Sequence, residues 1–151
     1  MNRPAILAAT LSVLLLTGIL PQSAQAGAEP DLVTWMGRLQ YFTHKLGLAV
    51  TAQNRAIQGY YVHEVEEVIK QVEAIEQVDG IEIGNLVKAN LVPAFEALES
   101  AVEVGDQALV DLAYSDLIDA CNTCHKAANR PYLHIARRAD NPYLQDFAPS
   151  P

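Results

Sequence analysis

The chain holds two cysteines, and both fall in one pentapeptide, Cys121-Asn122-Thr123-Cys124-His125, with a histidine directly after the second. Thiols and an imidazole at this spacing admit four chemistries. A disulfide oxidoreductase sets its Cys-x-x-Cys beside a strand in a βαβ pattern, and no segment here alternates convincingly like a strand. A structural zinc is closed by four ligands; the pentapeptide offers three at most, so a distant histidine would have to complete the set. A disulfide between Cys121 and Cys124 would close a very short loop, remove little entropy from the unfolded chain, and leave His125 without a role. Cys-x-x-Cys-His is also the attachment spacing of a c-type haem. In that chemistry two thiols add to the vinyl groups on one edge of the macrocycle, and the adjacent imidazole reaches the iron. Covalent haem, one per chain, is the expectation carried forward.

The helix that must carry the motif supports this reading. At about 100° per residue, Leu109, Val110, Ala113, Tyr114, Leu117, Ile118, Cys121, Cys124 and His125 fall in one half of a helical wheel. Asp111, Ser115, Asp116, Asp119, Asn122, Thr123 and Lys126 fall in the other. Both thiols and the imidazole thus share the apolar side, and a group attached there would enter the protein interior.

Three further amphipathic helices are predicted. The first starts after Pro30-Asp31 and runs to about Gln53, with Leu32, Trp35, Met36, Leu39, Phe42, Leu46 and Val50 on one face. The second spans about Ile57 to Val78, with Tyr61, Val65, Val68, Val72 and Ile75 as its stripe, and stops at Asp79-Gly80. The third covers about Asn85 to Val104, where Pro93 implies a kink or a late start. Gly105-Asp106 then ends one helix and caps the next, which carries the motif to about Asn129 before Pro131. Residues from about 131 show no period and are expected as an ordered or partly ordered tail. The expected fold class is all-α, an antiparallel four-helix bundle with the haem on its last helix.

The first 26 residues have the layout of a secretory signal: Arg3, an apolar run from Ala5 to Leu20, then small residues ending in Ala24-Gln25-Ala26. A membrane span takes about 20 predominantly apolar residues, and this run is shorter and interrupted by Thr10, Ser12, Thr17 and Gly18. Residues 27–151 are therefore expected as one exported, periplasmic domain without a stable membrane anchor. Arg3 is the one charged residue of the signal, so the remainder carries nine basic and 18 acidic side chains. Nucleic acid is excluded as a partner, because binding it takes a basic footprint. Charge is uneven: 14 acids and two bases lie between Glu64 and Asp119, whereas Lys126, Arg130, Arg137 and Arg138 follow with no acid before Asp140. That basic segment is either a solvated tail or the place where something anionic binds.

With "CNTCH" in its last helix, the chain resembles the cytochrome c′ group and related small exported monohaem proteins. The pentapeptide is the specific motif; the rest of the likeness is architectural. "HKLGLA" (His44 to Ala49) and "CHKAANRPYLHI…NPYLQDF" resemble a subgroup of bacterial monohaem proteins. The resemblance implies that Cys121 and Cys124 carry thioether bonds and that His125 is the proximal iron ligand. The long tail departs from cytochrome c′ itself, which weighs against an open, gas-binding iron.

The sixth position on iron decides what the iron does. Met36 offers a thioether but also fits the packing stripe of the first helix. His44 lies beside Gly37, Tyr41 and Leu48 on a second, partly apolar face, which a flat cofactor would account for; a surface or hydrogen-bonded histidine is the alternative. His63, among Glu64, Glu66 and Glu67, is expected to be exposed, and His134 lies close to the proximal ligand beyond Pro131. Arg130 and Arg137 are candidate partners for haem propionates, since guanidinium matches carboxylate in a bidentate fork.

These residues imply a periplasmic electron carrier exchanging electrons with partner redox proteins. The alternative is a haem protein holding NO or CO at an open site. No Ser-His-Asp arrangement, Gly-rich phosphate loop or paired carboxylates point to an enzyme. A homodimer is compatible with the sequence.

Overall fold

The side chain of Asp31 accepts a hydrogen bond from the Thr34 backbone N–H (2.9 Å) and so starts α1, Leu32–Thr51. This computed structural model describes residues 31–150; the expected export signal over 1–26 lies outside them. Asn54 caps α2, Arg55–Glu73, accepting from the Ile57 N–H at 3.2 Å.

The sequence carries α2 on to Val78, but the helix ends at Glu73. Val78 and Ile81 exchange both backbone hydrogen bonds (3.0 and 2.9 Å) around Asp79 (φ 52°) and Gly80 (φ 79°). Two successive positive φ angles make a tight hairpin turn, and the strand-like residues flanking it are taken from the end of the predicted helix. The chain returns at once: the Gly84 N–H donates to the Ile75 carbonyl (2.9 Å), and a β-carbon at Gly84 would collide with the carbonyl of Glu73.

The third predicted helix is continuous but changes its hydrogen-bond pattern along its length. It begins at α3, Ile83–Leu86, passes through a π-helical segment, Val87–Leu91, and continues as α4, Val92–Val104. Pro93 stands in the first turn of α4, directly after the π segment. Proline has no N–H to give to the residue four back, and the π segment shifts the register just before it, with the Val92 N–H donating to the Val87 carbonyl. Gly105 (φ 79°) ends α4, and Asp106 caps α5, Gln107–Ala127, accepting from the N–H groups of Ala108 and Leu109 at 2.9 and 3.3 Å. At the far end α5 stops at Ala127, two residues before the expected Asn129, which turns with φ 57°, and the Arg130 N–H donates to the His125 carbonyl (2.7 Å) just before Pro131.

The described residues are all-α, and the core is built from the expected stripes. Leu46, Val50, Tyr61, Val65, Val72, Val87, Leu98, Val110 and Leu117 are buried. Two assignments on α5 change. Leu109, placed on the buried side by the wheel, is exposed, and Asn122, placed on the polar side, is buried at 8% exposure. The second change has a clear cause: the tail after Pro131, irregular as expected, folds back over α5 and α1. Its Phe147 enters the core at 5% exposure, and Asn54 Nδ2 holds the carbonyls of Phe147 and Ala148 at 3.2 and 3.0 Å. No helix among the described residues is long and apolar enough to cross a membrane.

Two hydrogen bonds fix how α1 and α5 lie together. Gln107 Nε2 donates to the Val50 carbonyl (3.1 Å), and Tyr114 Oη donates to the Thr43 carbonyl (3.0 Å). Seven residues forward along α5 thus match seven residues back along α1, so the two helices run in opposite directions.

Candidate functional site

Cys121 and Cys124 are free thiols, one turn apart on α5 and both half-buried. Burial, and then the neighbouring Cys124, pushes the Cys121 thiol up to about 12, and burial raises Cys124 as well. Both sulfurs therefore carry their protons at neutral pH. Cys124 Sγ donates to the carbonyl of Leu86 at 3.3 Å, where α3 meets the π segment. π-Helical turns are frequent at functional sites because they loosen a helix locally.

His125 is half-buried, and its Nδ1 meets the carbonyl of Leu133 in the returning tail. A carbonyl only accepts, so this ring nitrogen is the donor and, in the neutral ring, Nε2 keeps its lone pair. The loop that delivers Leu133 is tied at three points: Arg130 N–H to the His125 carbonyl (2.7 Å), Leu133 N–H to the Arg130 carbonyl (3.0 Å), and Ile135 to Asn122.

Met36 is half-buried and packs against the core. Carried one step past the Tyr114–Thr43 hydrogen bond, the α1/α5 register would bring it to the level of Cys121, four residues or about 6 Å of axial rise from His125. His44 falls opposite Ala113, twelve residues or about 18 Å from His125. Its Nδ1 pairs with Tyr143 Oη at 3.1 Å, and its Nε2 is buried without a hydrogen-bond partner. The second apolar face of α1 is covered by the tail: the Tyr143 ring sits 5.4 Å from Tyr41 and 5.5 Å from His44. A β-carbon at Gly37 would meet nothing within 4 Å, so the space over that glycine is open to protein atoms among the described residues.

The candidate anion-binding arginines separate. Arg137 is committed at 2.7 Å to Asp111 and lies over the Tyr114 ring (5.2 Å), ten residues or about 15 Å of helix from Cys121. Arg130 donates to its neighbour's carbonyl, Asn129 O, at 3.3 Å, and stays by the end of α5. His63 is exposed as expected, 3.8 Å from Glu66. His63, Glu66 and Glu67 cluster within 4.8 Å, yet Lys70 Nζ already spans both carboxylates at 2.7 and 2.9 Å. His134 is exposed on the tail.

Sequence reasoning missed Asn122, Leu133, Ile135 and the knot at Lys45. That lysine is buried, yet among the described residues no carboxylate pairs with it: Nζ reaches Tyr61 Oη (3.3 Å) and Gln145 Oε1 (3.1 Å) and lies 4.8 Å from the centres of the Tyr41 and Tyr143 rings. A charged residue inside an otherwise apolar stretch of α1, "HKLGLAV", was the signal available. No family model, curated protein or solved structure matches this chain.

Proposed function

We propose that the protein is an exported, monohaem c-type cytochrome that carries single electrons between partner redox proteins, built as an antiparallel four-helix bundle with haem c on its last helix. One observation carries the reading. Two free, half-buried thiols stand one turn apart, followed at once by an imidazole whose Nδ1 is engaged and whose Nε2 keeps a lone pair. That donor set fits the group: thiols for two thioether bonds and one soft-to-borderline nitrogen for iron. A haem held there supplies a one-electron ferric/ferrous couple.

The chain's own residues do the rest. Cys121 and Cys124 would hold the group: each S–H would add across a vinyl C=C, sulfur to one carbon and hydrogen to the other, with no net oxidation or reduction. Burial keeps both thiols protonated, which slows their loss to a disulfide, because exchange and oxidation proceed through the thiolate. For the sixth ligand the register favours Met36. Two side chains that meet at one iron must start from nearly the same level, and His44 starts about 18 Å away along the helix axes. Of the arginines, Arg130 suits a propionate, since Arg137 already pairs with Asp111. Lys126 and Arg130, at the end of α5, give the His125 end of the molecule a basic rim for an anionic partner surface.

Protein matured in a periplasm that attaches haem c tests the reading. The expected result is a covalent haem spectrum in the pyridine haemochrome assay and a low-spin ferric state. Absence of covalent haem overturns the proposal. A high-spin ferric state would move it to the binding of NO or CO at an open site.

A further inference from the structure

We infer that Asn122, the second residue of the motif, is a positioning residue for His125: it clamps the backbone of Ile135 and thereby holds the Leu133 carbonyl on the imidazole. The inference rests on the haem reading for its functional consequence, not for its geometry.

Asn122 is a polar residue on the polar half of α5, and yet it is buried. Both ends of its amide are used on one residue: Nδ2 donates to the Ile135 carbonyl (2.9 Å) and Oδ1 accepts from the Ile135 N–H (2.8 Å). The backbone N–H can only donate, so the orientation of the amide is fixed by its partner. This double bond pair is the pattern of a β-bridge, made by a side chain, and it pins the tail one turn of α5 away from His125. Two residues earlier in the tail, Leu133 presents its carbonyl to His125 Nδ1. Its other tie is its N–H, which donates to the Arg130 carbonyl at 3.0 Å. Without the clamp, the bond to His125 itself is the side-chain tie left between α5 and the segment from Arg130 to Ile135 among the described residues.

The chemistry of a ligating histidine gives the clamp its use. A partner on the non-ligating nitrogen fixes the tautomer and ring orientation and raises the basicity of the ligating one. A more basic donor stabilises ferric iron over ferrous, so the clamp holds the reduction potential down. A purely structural asparagine would secure the tail and leave the imidazole unaffected. The tail has anchors of its own elsewhere, at Phe147 and Asn54, so removal of the clamp leaves the fold in place.

The test compares holoprotein with Asn122→Ala, Asn122→Asp and, as a control that loosens the far end of the tail, Phe147→Ala. In Asn122→Ala the reduction potential rises, and the His125 Nδ1 proton exchanges with solvent about fivefold faster by NMR, as the loss of one net hydrogen bond gives. Asn122→Asp keeps the acceptor for the Ile135 N–H and falls between. Phe147→Ala changes neither readout. Wild-type potential and exchange in Asn122→Ala overturn the inference. If no haem is attached at all, the haem reading fails separately, and nitrogen chemical shifts of the His125 ring in the haem-free protein decide the clamp. The expected result there is an Nδ1–H tautomer in wild type that shifts towards Nε2–H in Asn122→Ala; the same tautomer in both sinks it.

Discussion

The seam between α1 and α5 is made in two ways at its two ends. From Thr43 to Val50 it is sewn shut. Tyr114 crosses to Thr43, Gln107 crosses to Val50, and the Tyr114 ring lies where a side chain on Gly47 would be. Lys45 is tied to Tyr61 and Gln145, and Tyr143 closes over His44. From Met36 towards His125 the seam is made of a thioether, two free thiols and an imidazole, all half-buried. Thiols and thioethers are weak hydrogen-bonding groups but good ligands and nucleophiles. The first end is furnished for packing and the second for chemistry.

The sharpest break of that contrast is Cys121→Ser together with Cys124→Ser. Covalent haem should be lost completely, read as the disappearance of the haem band on a denaturing gel, while circular dichroism of the remaining protein stays helical. Retention of covalent haem would mean that the chemical end has been misplaced. Next comes the ligand pair. Met36→Ala should convert the ferric spectrum from low spin to high spin, and His44→Ala should leave it low spin. The reverse result would overturn the register argument.

On the packed end the expected effects are in stability. Phe147→Ala removes the one tail side chain in the core and should cost about 3–5 kcal/mol, the usual loss for a buried phenylalanine, measured by urea denaturation of the holoprotein. Gly47→Ala would drive a β-carbon into the Tyr114 hydroxyl and ring. Because neither helix backbone gives way easily, a loss of about 1–3 kcal/mol is expected. Both variants should keep the haem spectrum of the wild type, which separates the two ends of the seam.

The chemical end was the more legible of the two in the sequence. Its residues are local: three positions within one turn and a half of α5 carry the motif, and a 3.6-residue period places them on one face. The stripes of all the long helices are local in the same way, and Leu46, Val65, Leu98 and Leu117 are buried where periodicity put them. What stayed hidden joins residues far apart in the chain. Phe147 meets Asn54, Gln145 meets Lys45, and Tyr143 meets His44, and no periodicity in a tail without regular structure encodes such partners. Asn122 was misjudged for the same reason: a helical wheel knows only its own helix, and the tail that buries this side chain is not on it. The end of α2 went wrong by a different route, because the apolar residues Ile75 and Val78 continue the stripe while Asp79 and Gly80 impose a turn.

The smallest predicted effect concerns pH and again falls on the packed end. Burial pushes the Lys45 ammonium down, but hydrogen bonds to Tyr41 and Tyr61 outweigh it and leave the group above its ordinary value of 10.5. Burial raises the Tyr143 phenol above 10.0. Lys45 holds its proton longer in the folded chain than in the unfolded one, so its stabilisation is complete below 10.5 and is lost as pH rises through the raised value. Tyr143 has the same sign, since above 10.0 the unfolded chain sheds a proton that the folded one keeps. The tail end should therefore loosen in alkali, with unfolding free energy falling as pH rises above 10.0. Lys45→Met removes one contribution and Tyr143→Phe the other, so each should flatten that fall, whatever it does to stability at neutral pH. Slopes identical to wild type in both variants would show that these side chains titrate alike in the folded and unfolded chain.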